Sequence, residues 1–222
     1  MALPPEIREL IWETRMRDAG DFRFCVDIRD SVKMGDSAKR PWFLPQLCFF
    51  SNATKDEIIA VFMRNSVFMI ASIHDNRFFR EFIASVLDGP KHVRELHFDF
   101  FDCFPDYDKE GNKIALNSDL ELAVHCTGLS TIRMTFARWR LQVEECDEEN
   151  EQDADRDRTV AVLVEKYRLR RLLDCGNLRK IHWAGRYGYG WPVRVLTDLA
   201  NWVEAEFAKK NHRVETIVTW GR

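Results

Sequence analysis

The segment "VRELHFDF" (93–100) places Glu95, His97 and Asp99 at alternate positions. In an extended strand alternate positions share one face, so a carboxylate stands on each side of an imidazole. His97 with Asp99, neighbours at i and i+2, would make a general base, the carboxylate orienting the imidazole. His182 lies in a second segment of the same kind, "LRKIHWAG". If the chain is an enzyme, Glu95, His97, Asp99 and His182 are the catalytic candidates. A surface histidine with a chance acidic neighbour explains the same pattern without chemistry. A metal shared by the two histidines is disfavoured. With strands in chain order they flank Arg133 and sit roughly 10 Å apart, whereas zinc draws its nitrogens to about 2 Å from one centre. No metal and no cofactor is expected. Neither G-x-G-x-x-G nor G-x-x-x-x-G-K-[ST] occurs, and neither G-x-S-x-G nor H-E-x-x-H occurs. "GRYGYGWP" (185–192) has three glycines but no Lys, Ser or Thr to hold a phosphate.

A second chemistry is binding. "EKYRLRRLLDCGNLRK" gathers Lys166, Arg168, Arg170, Arg171, Arg179 and Lys180. Nucleic acid is one reading of such a segment. The other is pairing with the acidic run "EECDEENEQDADRDR" (144–158), which holds nine acids and two arginines. That run has almost no apolar content and predicts a solvated, mobile loop. Arg133, Lys180, Arg168 and Arg171 are the charged binding candidates, with Trp191 and Trp220 as the exposed aromatic ones.

These residues need elements to position them. Helical segments alternate with short strands from residue 52 onward. The last four strands read Val93-x-x-Leu96-x-Phe98, Leu129-x-x-Ile132-x-Met134, Leu178-x-x-Ile181-x-Trp183 and Val214-x-x-Ile217-x-Thr219, at intervals of 36, 49 and 36 residues. Gly89, Gly128, Gly176 and Asn211 end the helices before them. The spacing resembles the strand of a leucine-rich repeat. The apolar positions point to the helices, and stacked units bury a face that no single unit can bury. The expected fold is α/β, a mostly parallel sheet with leucine-rich-repeat-like stacking; a doubly wound α/β sheet is the alternative. The face away from the helices would then carry Glu95, His97, Asp99, Thr131, Arg133, Thr135, Lys180, His182, Thr216, Val218 and Trp220. "FRFCVDI" (22–28) reads as an earlier strand, "SVKMGDSAKR" as a loop, Ser118 as a helix cap, and 160–176 as one helix.

The chain has 222 residues, 45% of them hydrophobic, and a formal net charge of −3. This suits a single α/β domain over 1–222 and gives no global attraction to nucleic acid or membrane. Six cysteines stand far apart with no CxxC pair, the pattern of buried, reduced thiols in an intracellular protein, cytoplasmic or nuclear. No run approaches 18 uninterrupted apolar residues, so no membrane partner is expected.

"LPPEIRELIWE" (3–13) sets Ile7, Leu10 and Ile11 on one helical face, which Trp12 extends. Residues Leu3, Pro4, Pro5, Glu6, Arg8, Ile11, Trp12 and Glu13 resemble the first helix of fungal F-box-like proteins. The segment "LPQLCFFSNATKDEIIAVFMRNSVFMI" (44–70) is similar to a following stretch of that family. The resemblance implies a protein-interaction or adaptor module that binds a partner protein, with a ubiquitin-ligase adaptor as one candidate. The complete three-helix F-box is not evident, because a strand and a polar loop follow the first helix. A plainer role for this helix is to cap the end of the stack. The partner's place is the exposed sheet face. The alternatives are a small-molecule enzyme of fungal secondary metabolism with a polar pocket on the sheet, and an RNA- or DNA-binding protein, tRNA included, using the basic helix 166–180.

Overall fold

A computed structural model describes residues 3–18, 24–49, 54–101, 115–141, 158–186 and 194–220. Residues 144–157 of the acidic run, with Cys146 among them, Trp191 and Cys103 lie outside them. Helix α1 (Pro5–Asp18) leads to β1 (Phe24–Asp27) and α2 (Ile28–Met34). Then come α3 (Lys55–Asn65), β2 (Ser66–Ile70), α4 (Ile73–Ala84), α5 (Gly89–His92) and β3 (Glu95–Phe98). The second half runs α6 (Ser118–His125), β4 (Thr131–Ala137), α7 (Arg138–Leu141), α8 (Val160–Tyr167), β5 (Lys180–Arg186), α9 (Arg194–Lys209) and β6 (Glu215–Trp220).

Among the described residues, six strands pair in parallel, in the order β1-β2-β3-β4-β5-β6. The order never reverses, and a doubly wound sheet places its ligands where it does. Right-handed crossovers between successive neighbours therefore put the helices on one face. Helix neighbours agree: α2 touches α4, α4 touches α6, and α8 touches α9. The expected α/β sheet of stacked helix–strand units is what the chain forms.

The repeat positions form the core. Val93, Leu96, Phe98, Leu129, Ile132, Met134, Leu178, Ile181 and Trp183 are all buried. Phe136 stacks on Trp183 at 6.1 Å and meets Tyr167 of α8 edge-on at 5.5 Å. At Gly128 an added Cβ would lie 2.1 Å from the Lys91 carbonyl oxygen, so neighbouring units approach too closely there for any side chain.

Local chemistry shifts several expected boundaries. Asp27 accepts from the Arg29 backbone N–H and starts α2, which Gly35 stops at φ 69°. A helix thus stands within the stretch read as a loop. Asn117, not Ser118, caps α6, accepting from the N–H groups of Asp119 and Leu120. Gly89 does not end α4, which stops at Ala84; it opens α5 and is buried. The helix expected over 160–176 breaks at Arg168, which takes a left-handed φ of 58°, and continues as a 3-10 helix from Leu169 to Asp174.

The fourth repeat is one residue out of step. Hydrogen-bond register pairs Ile181 with Thr216 and Trp183 with Val218. Thr216 and Val218 therefore face the helices rather than the open side. Glu204 of α9 accepts from both the Thr216 N–H (3.0 Å) and its hydroxyl (2.6 Å). The open-face positions of β6 are Glu215, Ile217 and Thr219. Trp220 closes β6, paired with Gly185.

Candidate functional site

Strand alternation and parallel register build rows across the open face. One row reads Asp27, Met69, His97, Arg133, His182 and Ile217. The row before it reads Cys25, Val67, Glu95, Thr131, Lys180 and Glu215. The sheet thus gathers Glu95, His97, Arg133, Lys180 and His182 on one surface, as the strand spacing predicts. Most of these positions are half-buried, which is what lateral packing on an uncovered sheet gives.

Their pairing differs from the expected one. His97 Nε2 lies 2.8 Å from Glu95 Oε1, and the His97 side chain is only 17% exposed. This hydrogen bond, stronger than the opposing effect of burial, holds the Glu95 carboxyl below its usual range. Asp99 turns instead toward Arg29, at 4.0 Å. Arg29 also forks onto Asp27, with Nη2 at 2.6 Å from Oδ2; that bond lowers the Asp27 pKa. His182 has its pKa lowered, chiefly by burial and further by Lys180 and Arg133, with Glu95 opposing. The neutral imidazole is thereby favoured. Lys180 reaches Glu215 at 3.2 Å, and Arg186 stacks on Phe100 at 3.6 Å.

His97 and His182 are separated by β4, so they bracket Arg133 and do not converge. Among the described residues, no three His, Cys, Asp or Glu side chains come together to hold a metal. The arrangement offers one oriented imidazole, one imidazole whose neutral form is favoured and one guanidinium on an open surface. Three cavities lined by described residues lie elsewhere. The one of about 310 Å³ lies between α6, α8 and the 3-10 helix.

The basic segment is largely self-paired. Arg171 forks onto Glu121 of α6 (Nε–Oε1 2.6 Å) and reaches Asp174 at 2.7 Å. Arg168 pairs with Glu165 at 2.8 Å. Arg170 lies over the Trp202 ring at 5.8 Å. Free cysteines Cys48, Cys126 and Cys175 are buried, and burial pushes the Cys126 and Cys175 thiols up to about 12. No helix among the described residues is long and apolar enough to cross a membrane.

A second surface escaped the sequence reading. Helix α1 turns its charged face toward α3. Arg8 pairs with Glu57 at 2.8 Å, Glu9 with Arg64 at 2.8 Å, and Asn65 donates to Glu13 at 3.3 Å. Met16 is buried on the same side. Leu3, Ile7, Leu10 and Ile11 then point to solvent, at 51%, 46%, 59% and 39% exposure. The stripe was visible in the sequence. Its direction was not, because it depends on the charged face that α3 presents.

Comparison of the chain with family models, with curated proteins and with solved structures finds no match.

Proposed function

We propose that the protein is an interaction module of the adaptor type, holding one protein on α1 and a second on the open face of the sheet. The observation that carries this reading is the outward aliphatic strip of Leu3, Ile7, Leu10 and Ile11. Ile7, Leu10 and Ile11 recur at i, i+3 and i+4 of α1, the anchor spacing of a helix that lies in an apolar groove, and Leu3 extends the strip two residues before the helix begins. Burying their remaining exposed surface would contribute roughly 3–5 kcal/mol. That alone does not offset the cost of association, about 4–15 kcal/mol, so the strip works as the centre of a larger interface. The resemblance of residues 3–13 to the first helix of fungal F-box-like proteins supports a ubiquitin-ligase adaptor as the partner. The open sheet face supports the second contact, since stacked α/β repeats leave such a surface for recognition.

The other readings have less behind them. Ion pairs to Glu121, Asp174 and Glu165 consume much of the charge that nucleic acid would need from residues 166–180. The Glu95–His97 dyad offers a base, but Asp99, the third catalytic candidate, is engaged by Arg29.

The test is calorimetric titration of the full chain with a purified ubiquitin-ligase adaptor subunit. Binding is expected for the native chain and a loss of at least about tenfold for Ile7→Glu with Leu10→Glu. No binding, or equal binding by the double variant, contradicts the reading. So does self-association through the same strip in analytical ultracentrifugation.

A further inference from the structure

The open face is almost closed electrostatically. Asp27 and Asp99 share Arg29, Glu95 holds His97, Lys180 holds Glu215, and Arg186 has the Phe100 ring. Arg133 is the exception. It lies mid-sheet on β4 and is half-buried, yet it makes no hydrogen bond or ion pair with another described residue. A guanidinium carries five N–H donors, and leaving a partly desolvated cation unpaired is costly. Its row neighbours are imidazoles rather than carboxylates, so nothing in its own row neutralises it.

We infer that Arg133, between His97 and His182, is the anchor for a carboxylate presented by an acidic segment of the protein that docks on the sheet face. This inference rests on the interaction-module reading and names the chemistry of its second partner. The guanidinium fork matches a carboxylate bidentately. Thr131 and Thr135, on the same face of β4, flank the position with hydroxyls that donate to the same oxygens. A single negative charge suits the site. Glu95, Asp99 and Glu215 share the surface and repel a polyanion, so a nucleic-acid backbone or a dianionic phosphate fits less well.

The probe is a blocked Gly-Gly-Glu-Gly-Gly peptide, with one carboxylate, titrated into the isotope-labelled full chain at pH 7.5 and fixed ionic strength. The Arg133 side-chain N–H and the ring C–H signals of His97 and His182 are followed by NMR. A saturable shift of the Arg133 and His182 signals is expected, absent with the glutamine version of the peptide. Arg133→Gln should weaken binding at least about tenfold, and Arg133→Lys, which keeps the charge but loses the fork, should fall between. Neither variant should unfold below the native midpoint, since no hydrogen bond or ion pair with a described residue is lost. Tighter binding of a phosphoserine peptide, equal response to the glutamine peptide, or an unchanged His182 response in Arg133→Gln each overturn the inference. None of these readouts involves α1, so failure here is distinguishable from failure of the adaptor titration.

Discussion

Helices α1 and α9 stand near opposite ends of the chain and bury opposite kinds of face. In α9 the apolar stripe of Val195, Leu196, Leu199, Ala200, Val203 and Phe207 is buried, while Thr197, Asp198 and Asn201 are exposed. In α1 the apolar stripe is outside, and the inward face carries Arg8, Glu9, Trp12 and Glu13 around Met16. Helix α9 is strongly amphipathic, whereas α1 carries apolar side chains on both sides, with Trp12 and Met16 inside and Ile7, Leu10 and Ile11 outside. Spacing along a helix gives its faces but not their direction, which depends on what stands opposite. The sheet offers α9 an aliphatic surface, whereas α3 offers α1 the charged and amide groups of Glu57, Arg64 and Asn65.

That contrast breaks most readily through stability. Leu199→Ala empties a fully buried site in α9 and is expected to cost about 2–5 kcal/mol in urea unfolding. A loss below about 1 kcal/mol would mean that α9 does not carry the core.

A smaller effect separates the helix layer from both ends. Asp119 of α6 accepts from Asn76 at 2.8 Å, and burial raises its pKa from 3.8 to about 6, only partly opposed by Asn76 and Arg80. Its folded pKa lies above its unfolded one. The protonated form is therefore favoured by folding, and stability falls as pH rises from about 4 to 6, then stays flat. Asp119 keeps part of its surface exposed, so the loss is taken as about 1–2 kcal/mol. Asp119→Asn keeps an oxygen for Asn76 and should remove this pH dependence, raising stability at pH 7.5 and not at pH 4. Equal effects at both pH values would assign the gain to something other than ionisation.

The smallest effect is at Ile7. Ile7→Ala should change unfolding free energy by less than about 0.5 kcal/mol, because the side chain is outside the packed interior. A loss comparable to that of Leu199→Ala would place the stripe inside.

What was legible in the sequence follows the same logic. Three strands announced themselves, because Leu96, Ile132 and Ile181 each sit three residues after an apolar anchor and two before another. The candidate row of His97, Arg133 and His182 followed directly from that register. In β6 the apolar spacing misled. Val214 stands one residue before its strand, whereas Leu178 stands two before its own, so Ile217 aligns with His182. Only the ladder hydrogen bonds fix that offset. Helix α2 was hidden in a polar stretch because its start depends on one capping carboxylate, Asp27. The pairing of Arg171 with Glu121 joins residues fifty apart in the chain, and no local pattern encodes it. Alternation set Glu95 and Asp99 alike beside His97 and pointed to Asp99 as its partner; that Glu95 takes the imidazole while Asp99 turns to Arg29 required knowing that α2 begins beside β1.

Hydroxyl-radical footprinting with mass spectrometry reads directly whether α1 shows its aliphatic face to solvent. Leu3, Ile7, Leu10 and Ile11 should be oxidised readily in the native chain, while Leu196 and Leu199 of α9 should be labelled only after unfolding. Protection of the α1 residues to the level of Leu196 would contradict that exposure.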